Sequence, residues 1–129
     1  MSGHLLDTSV LIAADEAGAL TLPDTAAISV VSLGELRAGV LLARGATTAA
    51  RSARLDAVRA AFVAIPVDET VADGYGAVLA AARTAGRTAK ATDLLIIATA
   101  LVTERVLHTL DHAQAALAEV AGVRVSRLA

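Results

Sequence analysis

The chain has 129 residues, no cysteine and a formal net charge of −2 at pH 7, from 11 Lys and Arg against 13 Asp and Glu. This length favours a single domain spanning residues 1–129, and the absence of cysteine excludes thiol nucleophiles, cysteine–zinc sites and disulfide frameworks. The charge balance excludes a positive field over the whole surface, so nucleic-acid binding needs a local patch. Aromatic residues make up only 2% of the chain, which argues against recognition of bases by stacked aromatic rings.

Hydrophobic residues account for 56% of the sequence, but many of them are alanines. The longest run without charge is about residues 94–103, shorter than the roughly 18 to 20 apolar residues that cross a bilayer. The N-terminus has no cationic region ahead of an apolar one, as a secretory signal peptide would have. We therefore expect a cytoplasmic protein.

Strand-like and helix-like segments alternate along the chain. Short apolar, β-branched segments alternate with longer segments that carry apolar residues at helical spacing. Pro66 keeps the third strand short or at a sheet edge, and Gly18 and Gly45 are expected to end the first two helices. Strands separated by helices throughout indicate an α/β fold with a parallel sheet covered on both faces. The predicted strands are residues 4–7, 26–31, 63–67, 106–109 and 123–126, and the predicted helices are residues 9–17, 32–44, 48–62, 70–83, 93–103 and 112–120.

Four carboxylates stand beside apolar segments, where solvated acids are not expected. Asp7, Glu35 and Asp111 fall at or just after the carboxyl ends of predicted strands, and Asp93 precedes a very apolar helix. In an open parallel sheet, ligands bind at this edge. Buried carboxylates that converge there repel one another, and proteins keep such clusters mainly where a cation neutralises them. Oxygen ligands alone select a hard ion such as Mg²⁺ or Mn²⁺, which typically acts on phosphates.

A capping role competes with this interpretation at each acid. The segment from Ser32 to Glu35 fits a capping box, in which the Glu35 side chain returns to the backbone N–H of Ser32. Asp7 and Asp111 fit N-cap positions, and Asp93 fits a first helical turn, where the helix dipole favours an anion. Both interpretations remain open at this point.

The four acids belong to four short motifs in a defined order. These are Asp7-Thr8-Ser9, Ser32-Leu33-Gly34-Glu35-Leu36-Arg37-Ala38-Gly39, Asp93-Leu94-Leu95-Ile96-Ile97-Ala98-Thr99-Ala100 and Thr109-Leu110-Asp111. Their order and spacing resemble the PIN-domain ribonucleases, especially the VapC toxins of bacterial toxin–antitoxin pairs, over essentially the whole chain. The resemblance implies a single PIN-like nuclease domain over residues 1–129, with three layers and a central parallel sheet of about five strands flanked by helices.

The resemblance also implies an activity and its residues. It implies a Mg²⁺- or Mn²⁺-dependent endoribonuclease, the toxic component of a type II toxin–antitoxin pair, that leaves 5′-phosphate and 3′-hydroxyl ends. RNA is then the substrate, a small cognate antitoxin is the inhibitor, and a homodimer is expected. The acidic quartet that binds the metal and catalyses is matched by Asp7, Glu35, Asp93 and Asp111, and hydroxyl positions near the metal are matched by Thr8 and Thr109. After Asp111, where many members carry an aromatic residue, this chain has Ala113 and Gln114.

Basic residues near the third acid suggest where RNA binds. Arg83, Arg87 and Lys90 precede Asp93, so we expect them to flank the acidic edge and contact the RNA backbone. Arginines also recur every seven residues from Arg37 to Arg51. A solvated helix face and a phosphate track fit that pattern equally well.

Three other interpretations of these residues compete with a PIN-domain ribonuclease. A haloacid-dehalogenase-like phosphatase also starts with a strand and a nucleophilic Asp, but the pattern has a second Asp where this chain has Ser9. His108 and His112 have the spacing of a zinc pair, yet Asp111 is not placed like the glutamate of a His-Glu-x-x-His helix, so surface histidines are expected. A catalytically degenerate PIN-fold module that only binds protein is the remaining alternative. Loss of metal-dependent cleavage with antitoxin binding intact would favour it.

Overall fold

The computed structural model describes residues 3–17 and 25–127, and within these ranges strands and helices alternate in the predicted order. The strands are β1 (His4–Leu6), β2 (Ala26–Ser29), β3 (Val63–Ile65), β4 (Val106–Thr109) and β5 (Val125–Arg127). The helices are α1 (Thr8–Ala17), α2 (Val30–Leu42), α3 (Ala46–Ala61), α4 (Glu69–Thr84), α5 (Ala91–Val102) and α6 (His112–Val120). The prediction of an α/β fold is confirmed.

The five strands form one parallel sheet in the order β3-β2-β1-β4-β5. From β1 the chain moves outward to β2 and β3, then crosses back to β4 on the other side of β1. The direction of winding therefore reverses between β1 and β4, which is where open parallel sheets bind ligands. The strand that precedes Pro66 lies at a sheet edge, as predicted.

Helices cover both faces of the sheet. Leu5 and Leu107 pack on one face in a core shared with α4, α5 and α6, and Leu6 and Ile28 pack on the other face with α1, α2 and α3. Adjacent residues of a strand point to opposite faces, which explains why Leu5 and Leu6 serve different cores. The connection from β1 to β2 and the connection from β4 to β5 run in opposite directions along the sheet. Because such crossovers are right-handed, their helices lie on opposite faces. The predicted three-layer architecture follows.

Helix α5 lies in the middle of the larger core and is buried nearly all round, as its apolar sequence predicts. It packs so closely on α4 that only glycine fits at position 74 of α4. A Cβ atom built on Gly74 would lie 2.5 Å from Cγ1 of Val102 in α5. This close approach fixes the position of α5 and, with it, the side chain of Asp93 in its first turn. Within the described ranges, no helix combines the length and the apolar character needed to cross a membrane.

Several predicted boundaries were wrong. Helix α2 begins at Val30 and not at Ser32, because the Ser29 side chain accepts a hydrogen bond from the Val31 N–H at 3.0 Å and caps the helix earlier. The same helix ends at Leu42, and Gly45, with φ at +61°, precedes α3 instead of ending α2. Strand β5 begins at Val125, since Val123 packs into the core. Gly18 lies outside the described residues.

Candidate active site

Asp7 lies at the carboxyl end of β1, beside the point where the winding reverses, and is only 4% exposed. Its carboxylate accepts hydrogen bonds from the Ser9 hydroxyl and, at 3.3 Å, from the Val10 N–H. Its own backbone N–H donates to the carbonyl of His108 in β4 at 3.1 Å. Asp7 therefore caps α1, as the capping alternative predicted, while the same contacts hold its carboxylate at the binding edge of the sheet.

The Ser9 hydroxyl ties the ends of β1 and β4 together, and the Thr109 hydroxyl holds the backbone that follows β4. The Ser9 Oγ that donates to Asp7 also accepts from the Leu110 N–H at 3.1 Å. The buried Thr109 accepts from the Asp111 N–H through Oγ1 at 3.0 Å. Thr109 was predicted as a hydroxyl of the site and Ser9 was not, although a hydroxyl two residues after a buried acid was an available signal.

Asp111 is exposed at the solvent end of this region, so the expectation that all four acids are buried was wrong. Its Oδ1 accepts from the N–H groups of Ala113 at 2.9 Å and Gln114 at 3.2 Å, which makes it the N-cap of α6. The capping alternative is thus correct for Asp111 as well.

Asp93 lies in the first turn of α5 and is half-buried. Burial is the main cause that raises the pKa of its carboxyl, and the charges of Asp111 and Asp7 raise it further, while Lys90 lowers it. The structure thus brings three carboxylates from β1, the start of α5 and the start of α6 into one electrostatic cluster. Like charges in such a cluster disfavour ionisation unless a cation compensates them.

Glu35 approaches the same region from α2 and is half-buried. Its Oε1 accepts a hydrogen bond from the Thr8 hydroxyl at 2.6 Å, and the same hydroxyl lies 2.9 Å from Oγ of Ser32. The capping box predicted for Ser32 and Glu35 is wrong, because α2 starts at Val30 and Ser32 is buried inside it. Thr8 is the neighbour of Asp7 in sequence, so this contact joins Glu35 to the acidic cluster.

The donor set fits a hydrated hard cation. Among the described residues, no three His, Asp or Glu side chains are placed to hold one metal ion directly. Mg²⁺ needs no such group, because it keeps several waters and is typically bound through one or two carboxylates. Asp7 and Asp93 supply buried or half-buried carboxylate oxygens of this kind, and Asp111 adds a third negative charge nearby.

A groove of about 370 Å³ opens beside the cluster, between the α4–α5 loop and α6. Asp93, Arg87 and Lys90 line it, so two of the three predicted RNA-contacting cations stand next to an acid of the site. Arg83 is exposed near the end of α4 and does not line this groove. Lys90 is close enough to lower the pKa of Asp93.

Arg51 of the seven-residue pattern and the nearby Arg54 make contacts with other helices. Arg54 pairs with Asp15 at 2.9 Å, and Arg51 donates to the Gly39 carbonyl at 2.9 Å. Together with Glu35 they line a second groove, of about 350 Å³, between α1, α2 and α3. These contacts hold α3 against α1 and α2.

His108 is buried in β4, so the prediction of a surface histidine was wrong at this position. Its Nε2 lies 2.8 Å from Nδ1 of His4, the two rings meet edge to face, and burial together with His4 lowers the pKa of His108. His112 is exposed at the start of α6, as predicted. The neighbour of His108 is thus the half-buried His4 on the adjacent strand, a partner that the His108–His112 spacing did not indicate.

Comparisons with known proteins agree with this geometry. The model of the PIN domain family matches residues 4–120. Ribonuclease VapC8 of Mycobacterium tuberculosis (strain CDC 1551 / Oshkosh) is 46% identical over 101 residues, covering 74% of this chain and 88% of that protein. Ribonuclease VapC5 of M. tuberculosis (strain ATCC 25618 / H37Rv) is 36% identical over 129 residues, covering 96% and 94%.

Solved structures are similar over nearly their full length. The crystal structure of a member of the VapBC family of toxin–antitoxin systems, VapBC-5 from M. tuberculosis, matches with a TM-score of 0.85 and 36% identity, covering 99% of this chain and 100% of that chain. FitAcB from Neisseria gonorrhoeae matches with a TM-score of 0.75 and 29% identity, covering 94% of each chain. The chain therefore belongs to the PIN-domain family and, within it, to the VapC proteins.

Proposed function

We propose that this chain is a metal-dependent endoribonuclease and the toxic component of a type II toxin–antitoxin pair. The observation that carries the proposal is the cluster of Asp7, Asp93 and Asp111 at the point where the winding of the sheet reverses. Two further findings support it: the relatives at 46% and 36% identity are named ribonucleases, and a similar solved structure is described as a toxin–antitoxin system.

The proposed cofactor is Mg²⁺ or Mn²⁺. Asp7 and Asp93 would hold the ion directly, while Asp111 and Glu35 would act through water molecules. When bound, the ion supplies neutralisation of phosphate charge and a water of lowered pKa. The raised pKa of Asp93 supports this assignment, because it is caused by burial and, further, by the charges of Asp111 and Asp7, and a bound cation compensates both.

The side chains around the acids orient them for hydrolysis. Ser9 and the Val10 N–H fix the carboxylate of Asp7, and the Thr8 hydroxyl fixes that of Glu35. In the proposed reaction a water oxygen attacks phosphorus and the P–O3′ bond breaks. One product then carries a 5′-phosphate, the other carries a 3′-hydroxyl that has received the proton of the water, and no covalent enzyme intermediate forms.

The proposed substrate is RNA, held by its backbone beside the acids. Arg87 and Lys90 line the groove next to Asp93, and Arg83 extends this positive surface along α4. Few cations are available, so binding should be modest and should weaken with salt.

The proposed inhibitor is a small antitoxin, and the proposed assembly is a homodimer in the cytoplasm. An apolar helix of the antitoxin would pack on one face, and a basic side chain of its tail would reach the carboxylates. A half-buried anionic cluster favours any cation that reaches it, which supports this mode of inhibition.

The test is cleavage of end-labelled RNA by the purified chain with Mg²⁺, with Mn²⁺ and with EDTA. We expect cleavage only with metal, 5′-phosphate ends, and loss of cleavage in Asp7→Asn but not in the exposed control Asp73→Asn. Full activity in EDTA, or 2′,3′-cyclic ends, would exclude this mechanism. Absence of cleavage together with intact binding of the neighbouring gene product would favour the degenerate protein-binding module.

A further inference from the structure

Besides Asp93 itself, side chains of three kinds line the groove. Arg87 and Lys90 provide positive charge, Leu117 provides apolar surface, and Gln114 provides a carboxamide. Its volume of about 370 Å³ lies within the range of small-molecule sites. A ligand that suits these walls carries negative charge at one end and a flat apolar group with a polar edge at the other.

Gln114 is the unusual member of this lining because it is polar and only 5% exposed. Its Nε2 donates to the backbone carbonyl of Asp93 at 3.1 Å. That carbonyl only accepts hydrogen bonds, which fixes the nitrogen of the carboxamide towards it and turns Oε1 away.

The carboxamide oxygen of Gln114 retains its capacity to accept a hydrogen bond. No described residue donates to Oε1. In the described part of the chain, Oε1 is not one of the fully buried polar atoms that lack a partner. It has no donor but is not fully buried, so it keeps access to solvent. A nearly buried acceptor that is left open in a groove is a recognition group of the kind that fixes ligand orientation.

We propose that this groove holds one base of a single-stranded RNA substrate and that Oε1 of Gln114 accepts a hydrogen bond from the edge of that base. The proposal rests on the proposed function and makes Gln114 a specificity-determining residue of that same site. Because Asp93 lines the same groove, the base belongs to a nucleotide next to the scissile phosphate, whose backbone lies near Lys90 and Arg87. Unstacked bases in single strands present their edges to proteins in this way.

The charge of the rim favours RNA over a peptide. A basic antitoxin tail that entered this groove would meet Arg87 and Lys90, and like charges disfavour that route. The contact proposed above between the tail and the carboxylates would therefore be made from outside the groove. A nucleotide brings its negative phosphate to the same two cations, and its base meets Leu117 and Gln114.

The test compares Gln114→Met with Gln114→Glu. Both variants lose the Nε2 donor to Asp93, but only the methionine variant also loses the acceptor oxygen. Each variant is made in the wild-type chain, for mapping cleavage sites, and in an Asp7→Asn chain, for selecting bound RNA from a randomised single-stranded pool. Val120→Ala, on the exposed part of α6 and outside the groove, is the matched control. Urea denaturation of each variant reports its folding.

We expect the parent and Val120→Ala to prefer one base at one position by about two- to tenfold, the effect of one hydrogen bond between neutral groups. Gln114→Glu should keep this preference with weaker overall binding, and Gln114→Met should lose it. Three outcomes would overturn the proposal. The parent could show no base preference, Gln114→Met could keep the preference, or both variants could lose it equally. Loss of antitoxin binding with an unchanged base preference would overturn it as well. If the parent cleaves no RNA but the bound pool shows the Gln114-dependent preference, the proposed nuclease activity fails while the base contact stands.

Discussion

The two acids that reach the site from helices, Asp93 on α5 and Glu35 on α2, stand in different surroundings. Glu35 accepts a short hydrogen bond from Thr8, whose hydroxyl also contacts Ser32. Burial raises the pKa of Asp93, and the like charges of Asp111 and Asp7 raise it further, against the opposing effect of Lys90. An acid with a hydroxyl partner is stable without a cation, whereas an acid among like charges is stabilised by one. We therefore expect the proposed metal binding to depend more on the α5 side of the site than on the α2 side.

The largest expected effect is on catalysis. We expect Asp93→Asn to lower RNA cleavage by about a hundredfold or more, and Glu35→Gln by about ten- to a hundredfold, because Glu35 acts through its neighbours. Single-turnover cleavage rates at saturating Mg²⁺ measure both, with Asp73→Asn as the control. A larger loss in Glu35→Gln would reverse the comparison.

Substitutions of Asp111 can distinguish its negative charge in the cluster from its role as the N-cap of α6. Asp111→Ala should lower the free energy of unfolding by about 0.5 to 2 kcal/mol, whereas Asp111→Asn should leave it nearly unchanged, since asparagine is also a good N-cap. Both substitutions should reduce cleavage, because both remove the negative charge. Urea denaturation and cleavage assays on the same preparations test this, and equal stability of the two variants would contradict the capping contacts seen in the structure.

The stability of Asp93→Asn in EDTA sharpens the comparison further. Burial, together with the charges of Asp111 and Asp7, raises the pKa of Asp93 above its ordinary value of 3.8. Its ionised form therefore destabilises the fold at neutral pH, and the wild type gains stability as the pH falls through the raised pKa towards 3.8. We therefore expect Asp93→Asn to melt at or above the wild-type temperature without metal. Added Mg²⁺ should raise the melting temperature of the wild type but not that of the variant. Glu35→Gln provides the contrast: the carboxamide oxygen can still accept from the Thr8 hydroxyl, so no gain in melting temperature is expected.

The smallest expected effect is a change of stability with pH at His108, opposite in sign to the one expected at Asp93. Burial and His4 lower the pKa of His108 below 6.5, so the unfolded chain takes up a proton first, and this contribution to stability is lost as the pH falls below about 6.5. His108→Gln should reduce the loss of unfolding free energy between pH 7.5 and 5.5, measured in urea, whereas the exposed control His112→Gln should not. An unchanged pH slope in His108→Gln would show that protonation acts elsewhere.

Sequence pattern was sufficient for the order and type of the elements. Apolar periodicity and turn residues act over a few neighbours, which is why the alternation of strands and helices, the parallel sheet and the edge position next to Pro66 were predictable. The positions of Asp7 and Asp111 after strands also follow from local pattern. Where two local signals competed, as at Ser29 and Ser32, the helix started at the earlier cap, and the sequence pattern did not reveal this choice.

Side-chain partners were decided by the tertiary structure, because they join residues far apart in the chain. Thr8 meets Glu35 only when α2 packs beside α1, and His108 becomes buried against His4 only when β4 pairs with β1. Gln114 reaches the Asp93 carbonyl only because α5 and α6 come together. The sequence by itself determined which acids were available and at which strand ends they stand. The order of strands in the sheet then determined that three of these acids interact and that the fourth is held by a hydroxyl, since charge interactions and hydrogen bonds depend on distances that only the packed fold sets.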